Sequence, residues 1–269
     1  MSLPTYAMGT SSFPDMYEQR LVGPLFTPFA AMTLDRVPLT GARSLLDVAC
    51  GTGIVARLAK ERLGETAQVV GVDVSPPMLE VAARIASDID WRAGRAEALP
   101  IASGEMFDVV ICQQGLQFFA DKTTACRELR RALAPNGTLA VAVWRSNADM
   151  PELAALRAVA ERHLGPIDDQ RYGFGDADVL AALLEVNGIR DVSVDVLDHV
   201  VRFDVGSQFV VLNAMAFVGM SGRAASMTEE DRAAVLERIV ADSLGIIPPS
   251  SVEGLFEFKM STNLAIGRA

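Results

Sequence analysis

The sequence predicts an α/β fold with a doubly wound, mostly parallel sheet, and three observations support this. Short apolar runs alternate with helical segments through residues 43–144, a rhythm typical of parallel strands joined by crossover helices. The first apolar run leads directly into the glycine turn Gly51-Thr52-Gly53. The last apolar segment, residues 255–267, alternates polar and apolar side chains, which indicates a half-exposed antiparallel strand.

Five strands are expected in the first part of the chain. The first is predicted over 43–49, where Asp47 interrupts the apolar residues Leu45, Leu46 and Val48. The next three are buried or partly buried runs, and the fifth follows the turn Pro135-Asn136-Gly137. Their predicted ranges are 67–73, 89–94, 107–112 and 138–144.

Helices are predicted between these strands. Apolar residues at helical spacing mark a helix over 53–63 that stops at Gly64. Ser75 is expected to cap a second helix, which carries two prolines in its first turn. Asp121 opens a third.

After Trp144 the rhythm changes. Helices are predicted over 151–164 and 176–187, a long strand over 192–203, and further helices over 206–220 and 228–244. Together with the last strand this gives a seven-stranded sheet with helical insertions after strands five and six, and no clear second domain.

Composition limits the partners. The net charge is −10, from 24 basic and 34 acidic residues, and the sequence shows no basic patch, so we expect no nucleic-acid partner. No apolar run reaches 18 residues, so stable membrane insertion is not expected. The three cysteines show no metal-ligand spacing, which favours a reduced, cytoplasmic protein without a metal.

The position of Asp47 bears on the ligand. Gly51 to Ala56 has the G-x-G-x-x-A spacing of a dinucleotide turn, but Asp47 lies four residues before it, at the strand end. A carboxylate there would repel a pyrophosphate and attract a cation. Asp73, 22 residues after Gly51, can accept hydrogen bonds from ribose hydroxyls in either case. The pattern therefore fits S-adenosylmethionine, with its ammonium and sulfonium, better than NAD.

Five segments in correct order resemble the motifs of class I S-adenosylmethionine-dependent methyltransferases of the small-molecule type. The chain is similar to the branch that includes ubiquinone and menaquinone C-methyltransferases, whose fold is a Rossmann-like seven-stranded sheet. The segments are LLDVACGTG (45–53), VVGVDVSPPML (69–79), GRAEALP (94–100), FDVVICQQGLQFF (107–119) and RALAPNGTLAV (131–141).

The resemblance implies a set of cofactor contacts. The first motif would meet the methionine part through its backbone, Asp73 would hold the ribose, Met78 would pack near the adenine, and Gln113 would face the cofactor. Met78 is equally well explained as core filler. The full set of expected cofactor residues is Asp47, Ala49, Cys50, Gly51, Gly53, Asp73, Val74, Met78, Ala96, Glu97 and Gln113.

Four positions depart from the family pattern. Ala49 replaces a common glycine, which is tolerable if its φ is negative. Arg95 replaces an acid, so only the Ala96 amide and Glu97 remain for adenine contacts. Asn136 replaces a glycine, and asparagine tolerates left-handed geometry. Gln117 stands where the family often has histidine, which weakens any borrowed base.

The resemblance implies in-line attack by an O, N or C atom of a small molecule on the sulfonium methyl group. Because the methyl donor is already activated, the protein supplies mainly alignment and desolvation. No catalytic residue is evident, and the weak candidates are Gln117, Tyr17 and His199. His199 is better explained as structural.

The acceptor site is expected in the second half of the chain. The stretch 206–220 is apolar on more than one side, so we expect it to bury one side against a ligand. Phe217 and Met220, with Gln117, are the candidate substrate residues, and they favour an apolar or aromatic acceptor. The alternative is that this stretch packs on a second subunit, which leaves a homodimer open.

These expectations give a domain plan. Residues 1–42 form an N-terminal helical cover segment, and 43–269 form the methyltransferase domain. Within it, 43–144 binds the cofactor, and 145–269 adds strands six and seven with helical acceptor-site insertions, chiefly 206–250. Two other functions remain open: a non-catalytic S-adenosylmethionine- or S-adenosylhomocysteine-binding module, and, less favoured, an NAD(P)-dependent oxidoreductase.

Overall fold

The computed structural model describes residues 12–146, 150–246 and 254–269. Seven strands form one sheet in the order β3-β2-β1-β4-β5-β7-β6. The strands are β1 (Ser44–Val48), β2 (Gln68–Asp73), β3 (Asp90–Ala93), β4 (Phe107–Gln113), β5 (Leu133–Trp144), β6 (Arg190–Phe203) and β7 (Phe256–Arg268). The predicted seven-stranded, mostly parallel sheet is confirmed.

The parallel part grows outwards from β1. Leu46 pairs with Val70 of β2 on one side and with Val110 of β4 on the other. Pairing of β2 with β3 and of β4 with β5 is also parallel, whereas β5 and β7 run antiparallel, with Val141 opposite Ala265. The order reverses between β1 and β4, and in such sheets ligands bind beyond the carboxyl ends of the strands at this point.

Ten α-helices lie in the described residues, and five of them match predicted bounds to within one residue. They are α1 (Ser12–Tyr17), α2 (Thr27–Arg36), α3 (Ile54–Leu63), α4 (Pro76–Ile85), α5 (Lys122–Ala132), α6 (Pro151–Leu164), α7 (Ala177–Val186), α8 (Gly206–Met220), α9 (Gly222–Ala225) and α10 (Glu229–Ser243). A π-helix, Glu18–Phe26, joins α1 to α2.

The cap predicted at Asp121 is confirmed, the cap predicted at Ser75 is wrong, and Thr228 caps a third helix. Asp121 accepts from the Thr124 amide at 2.9 Å, and Thr228 accepts from the Asp231 amide at 3.1 Å. Ser75 sits at the N-cap of α4, but its side chain makes no capping bond. Its amide instead donates to the Asp73 carboxylate at 2.9 Å.

The turn predicted before strand five lies inside β5. Phe107 pairs with Leu133 and Val109 pairs with Thr138, so residues 134–137 bulge opposite a single β4 residue. Asn136 has a φ of 63°. A Cβ on Gly137 would lie 2.9 Å from the Ala134 carbonyl oxygen, so only glycine fits there.

The last strand is half-exposed only at its start. Side chains alternate between buried and exposed from Phe256 to Met260, and residues 261–265 are all buried. The prediction of a half-exposed strand is wrong beyond Met260, because β7 lies between β5 and β6 in the sheet interior.

Contacts divide the chain into two compact units. The sheet unit comprises Pro14–Arg145, Arg171–Asp198 and Ser261–Ala269. The helical unit consists mainly of Ser146–Gln170 and His199–Met260. The sequence predicts no clear second domain, because strands six and seven run through both units and hide the boundary.

The core of the sheet unit sits on both sides of the parallel strands. It includes Leu46, Val70 and Val110 on one face and Leu45, Val69 and Val109 on the other, all of them buried. Such strands read as continuous apolar runs because helices cover both faces of a parallel sheet.

The helical unit has its own core. Within it α8 packs against α6 and α10, which also pack against each other. Phe209 of α8 joins an aromatic cluster with Phe203, Phe256 and Phe258, and its ring centroid lies 4.6 Å from that of Phe258. No helix in the described residues is both long enough and apolar enough to span a membrane.

Candidate active site

A cavity of about 390 Å³ opens in the sheet unit at the carboxyl ends of β1, β2 and β4. This is the place that the strand order favours for a ligand. The lining residues are Tyr17, Val48, Ala49, Gly51, Val72, Asp73, Val74, Ser75, Met78, Gly94, Arg95, Ala96, Glu97, Gln114, Gly115, Phe118 and Phe119. Seven of the eleven expected cofactor residues are among them: Ala49, Gly51, Asp73, Val74, Met78, Ala96 and Glu97.

The loop after β1 forms one wall. Gly51 and Gly53 have φ angles of 56° and 87°, as glycine permits. Ala49 has a φ of 59°, so the condition that its φ be negative is not met. A left-handed alanine costs roughly 1–2 kcal/mol, and such strain often marks a functional loop.

Gly53 serves packing rather than the cavity. A Cβ there would lie 2.2 Å from the ring of Trp91, and Gly53 is not among the lining residues. Cys50 is buried and also lies outside the lining, with its amide bonded to the Val72 carbonyl at 3.0 Å. Only Gly51 of these three loop residues lines the cavity.

Asp73 is fixed where the ribose is expected. Its Oδ2 accepts from the Gly51 amide at 2.8 Å, and its Oδ1 accepts from the Ser75 amide at 2.9 Å. Burial raises the pKa of this carboxyl, although the two amides oppose the shift. Each oxygen keeps a second lone pair that a hydroxyl can use.

Asp47 is buried beneath the loop and does not line the cavity. Its Oδ2 accepts from the Ala56 amide at 3.1 Å. Burial raises its pKa to about 8, and the charge of Asp73 adds to the shift. Neither carboxylate has an ion-pair partner among the described residues.

The N-terminal segment contributes Tyr17. Its hydroxyl oxygen would lie 3.8 Å from a Cβ on Gly51, so its ring covers the glycine loop. Burial raises the pKa of this phenol above its ordinary value, and the charge of Asp73 raises it further. Tyr17 is therefore a neutral hydroxyl at physiological pH. The first eleven residues of the predicted cover segment lie outside the described residues.

Gln113, expected to face the cofactor, does not line the cavity. Its side chain accepts from the Thr33 hydroxyl at 3.2 Å and donates to the Phe26 carbonyl at 3.5 Å, so it fastens the N-terminal helices to β4. Gln114 lines the cavity instead, because a φ of 56° turns the chain after β4.

Nine lining residues were missed, and four of them lie close together in the chain: Gln114, Gly115, Phe118 and Phe119. They follow β4 just as Ala49 follows β1 and Val74 follows β2. Their position directly after a predicted parallel strand could have identified them, because the carboxyl ends of adjacent parallel strands lie at the same edge of the sheet.

The weak catalytic and substrate candidates fall in different places. Gln117 is buried beside this loop without lining the cavity, and Tyr17 lines it. His199 belongs to the helical unit, where burial and the nearby charge of Arg202 lower its pKa. Phe217 and Met220 also belong to the helical unit, the first fully buried and the second half-buried.

A second cavity, of about 540 Å³, lies at the opposite end of the sheet and gathers four arginines. The sequence showed no basic patch because Arg190 is distant along the chain from Arg127, Arg130 and Arg131. Three of the four are engaged: Arg130 with the Gly188 carbonyl, Arg131 with Glu128, and Arg190 with the Ala269 carbonyl. In the described part of the chain, no group of three or more His, Cys, Asp or Glu side chains is arranged to hold a metal.

A family model described as a methyltransferase domain matches residues 46–141. Among curated proteins, the demethylmenaquinone methyltransferase of Thermus thermophilus is 40% identical over 114 residues, which cover 41% of this chain and 49% of the relative. The trans-aconitate 2-methyltransferase of an Azoarcus species is 35% identical over 124 residues, 46% of this chain and 47% of the relative. The chain thus matches about half the length of these relatives.

Solved structures share the fold over more of the chain. Phosphoethanolamine N-methyltransferase 2 of Haemonchus contortus, solved with S-adenosylhomocysteine, has a TM-score of 0.58 at 16% identity, covering 99% of this chain and 61% of that one. The YcgJ protein of Bacillus subtilis has the same TM-score at 16% identity and covers 89% of this chain and 97% of that one.

These findings converge on residues 46–141. The family model spans β1 to β5, the same strands whose carboxyl ends build the cavity. The Gly51 amide donates to the Asp73 carboxylate, so the first two motifs meet at the cavity. The match of residues 46–141 to a methyltransferase domain thus agrees with the resemblance that the five ordered motifs carry.

Proposed function

We propose that this protein transfers a methyl group from S-adenosylmethionine to an O, N or C atom of a small, apolar or aromatic molecule. One observation carries the choice of ligand. Asp47 and Asp73 are buried beside the glycine loop without a cationic partner among the described residues. Burial raises the pKa of both carboxyls, and a positively charged ligand would favour their ionised forms, so the loop is suited to a cation.

The residues present fit this cofactor. Asp73 would hold the ribose hydroxyls, and the backbone of Ala49 and Gly51 would meet the methionine part. Val74, Met78, Ala96 and Glu97 would enclose the adenine. Asp47, beneath the loop, would add negative potential as it ionises near pH 8. When bound, the cofactor supplies a cationic sulfonium that carries an activated methyl group.

The chain's own contribution is alignment and exclusion of water. Tyr17, Phe118 and Phe119 line the cavity with large side chains that can cover a bound ligand. Neither histidine of the chain lines the cavity. An activated donor needs no strong base, so this does not count against catalysis.

The named relatives act on varied small molecules. Their names refer to demethylmenaquinone, trans-aconitate and nocamycin. This variety supports a small-molecule acceptor without choosing one. The three free, buried cysteines support a cytoplasmic setting.

A binding panel tests the cofactor. S-adenosylmethionine and S-adenosylhomocysteine should each raise the melting temperature, and NAD should not. Stabilisation by NAD alone would favour the oxidoreductase alternative. Transfer of a labelled methyl group to members of a small-molecule library then separates an enzyme from a non-catalytic binding module, which would bind the cofactor and methylate nothing.

The acceptor residues Phe217 and Met220 remain a proposal. Packing of α8 against α6 and α10 already accounts for much of its apolar surface. If these residues bind the acceptor, Met220→Ala should alter transfer while S-adenosylmethionine affinity stays within about threefold, a change below 1 kcal/mol. A shift in oligomeric state with unchanged transfer would assign the stretch to a homodimer interface.

A further inference from the structure

Gln114 has no role in the cofactor contacts described above, yet it occupies a constrained position on the cavity wall. Its φ is 56°, and its backbone N–H donates to the Ala142 carbonyl at 2.8 Å, which fixes the backbone turn after β4. Only 7% of the residue is exposed. A long polar side chain is thereby held inside the cavity wall.

Two linked hydrogen bonds set the orientation of the side-chain amide of Gln114. The Thr262 hydroxyl donates to the Val143 carbonyl at 2.6 Å, which uses its single proton. The Thr262 oxygen can therefore only accept from Gln114, whose Nε2 lies 2.9 Å away. A flipped amide would place two acceptors against each other.

The carbonyl end of Gln114 is left without a partner. Its Oε1 is buried, and no described residue donates to it. Gln117, three residues later on the same loop, is also buried with both amide atoms unsatisfied. Native proteins satisfy nearly all such groups, so an unsatisfied acceptor on a cavity wall points to a ligand that donates.

We propose that Gln114 selects the acceptor by accepting a hydrogen bond, through Oε1, from an O–H or N–H group of that molecule. This deepens the proposed function and rests on it. Because Thr262 holds the amide in one orientation, Gln114 cannot turn its NH₂ group towards an acceptor that offers only ether, carbonyl or carboxylate oxygens. Such molecules leave Oε1 unsatisfied and are rejected.

The test compares matched pairs of aromatic compounds by calorimetry on the full chain saturated with S-adenosylhomocysteine. The probes are phenol, aniline and anisole, and their naphthalene counterparts 2-naphthol, 2-naphthylamine and 2-methoxynaphthalene. We expect the hydroxyl and amine members to bind about tenfold more tightly than the methoxy members, the worth of one hydrogen bond.

Gln114→Met keeps the length of the side chain and removes both hydrogen-bonding atoms. It should reduce this preference to within about twofold while the affinity for S-adenosylhomocysteine stays within about threefold. Gln114→Asn tests the same point if methionine is not tolerated, because asparagine accepts left-handed geometry but is too short to span the site. Gln68→Met, at the exposed start of β2, should keep the preference and serves as the matched control.

An unchanged preference in both Gln114 variants would overturn the assignment. So would failure of every hydroxyl- and amine-bearing probe to bind a protein that does bind S-adenosylhomocysteine. Failure of the proposed function is a separate result, since the wild-type chain would then bind neither S-adenosylhomocysteine nor S-adenosylmethionine.

Discussion

Two loops line the cavity, and they share a backbone conformation but differ in their buried polar side chains. The loop after β1 leaves its strand through Ala49, and the loop after β4 leaves through Gln114; both residues have left-handed backbone, with φ angles of 59° and 56°. The two loops come so close that a Cβ on Gly115 would lie 2.5 Å from that of Ala49. Strained geometry of this kind persists only where the surroundings enforce it.

The difference lies in the polar groups behind each loop. Buried carboxylates whose oxygens accept from backbone amides stand behind the first loop. Buried glutamines with unsatisfied amide atoms stand on the second. The first loop is therefore suited to a cation and the second to a neutral hydrogen-bond donor, which is the division expected between cofactor and acceptor.

The largest effect is expected from Asp73→Ala. The change removes two charge-assisted hydrogen bonds to the ribose and releases the amides of Gly51 and Ser75. At about 1.5 kcal/mol or more for each ligand bond, S-adenosylhomocysteine affinity should fall by roughly 100-fold or more, as calorimetry would show.

Asp176→Ala is the matched control for that change. Asp176 also accepts from two backbone amides, those of Asp178 and Val179, but it caps α7 and does not line the cavity. Its loss should cost about 1 kcal/mol of stability and leave cofactor affinity unchanged. Equal S-adenosylhomocysteine affinity in Asp73→Ala and Asp176→Ala would contradict the assignment of Asp73 to the ribose.

A pH-dependent effect is expected from Asp47→Asn. The folded-state pKa of Asp47 is about 8, above its ordinary value of 3.8, so the folded chain keeps a proton that the unfolded chain releases. The free energy of unfolding should therefore fall as pH rises from about 4 to about 8. The amide that replaces the carboxyl group cannot titrate, so denaturant melts should show the variant gaining stability over wild type across that range.

The same variant tests whether Asp47 favours binding of the positively charged S-adenosylmethionine. As Asp47 ionises near pH 8, the wild-type chain should increasingly prefer cationic S-adenosylmethionine to neutral S-adenosylhomocysteine, and Asp47→Asn should abolish the trend. Asp108→Asn, at the other end of the sheet where Asp108 accepts from the Arg43 amide, should behave as wild type. A trend that survives in Asp47→Asn would contradict the electrostatic role.

The smallest effects concern the close approach of the loops. Gly115→Ala should destabilise the fold by about 1–3 kcal/mol through overpacking against Ala49. Ala49→Gly should change stability by less than about 1 kcal/mol, because relief of left-handed strain offsets the greater freedom of glycine in the unfolded chain. In the double variant part of the Gly115→Ala loss should be recovered, and strictly additive melting data would show that the loops are not coupled.

Much of the cavity wall could be predicted because it depends on local features. The glycine turn, the strand-end Asp73 and the ordered motifs are contiguous in sequence, and seven of eleven expected residues line the cavity. The residues that do not line it are neighbours of those that do. Because neighbouring side chains point in different directions, a shift of one position decides which of them lines the cavity. Gln113 bonds to Thr33, whereas the next residue, Gln114, lines the cavity.

The sequence by itself determined the sheet, the order of its first five strands along the chain and the place of Asp73 at the end of the second, because apolar periodicity and turn chemistry act over a few residues. Only the tertiary structure decided that Asp47 lies buried beneath the loop, that β7 is an interior strand, and that Thr262 orients Gln114 across 148 positions of sequence. These outcomes depend on contacts between segments that are distant in sequence. Packing of the whole core, rather than any local pattern, determines such contacts.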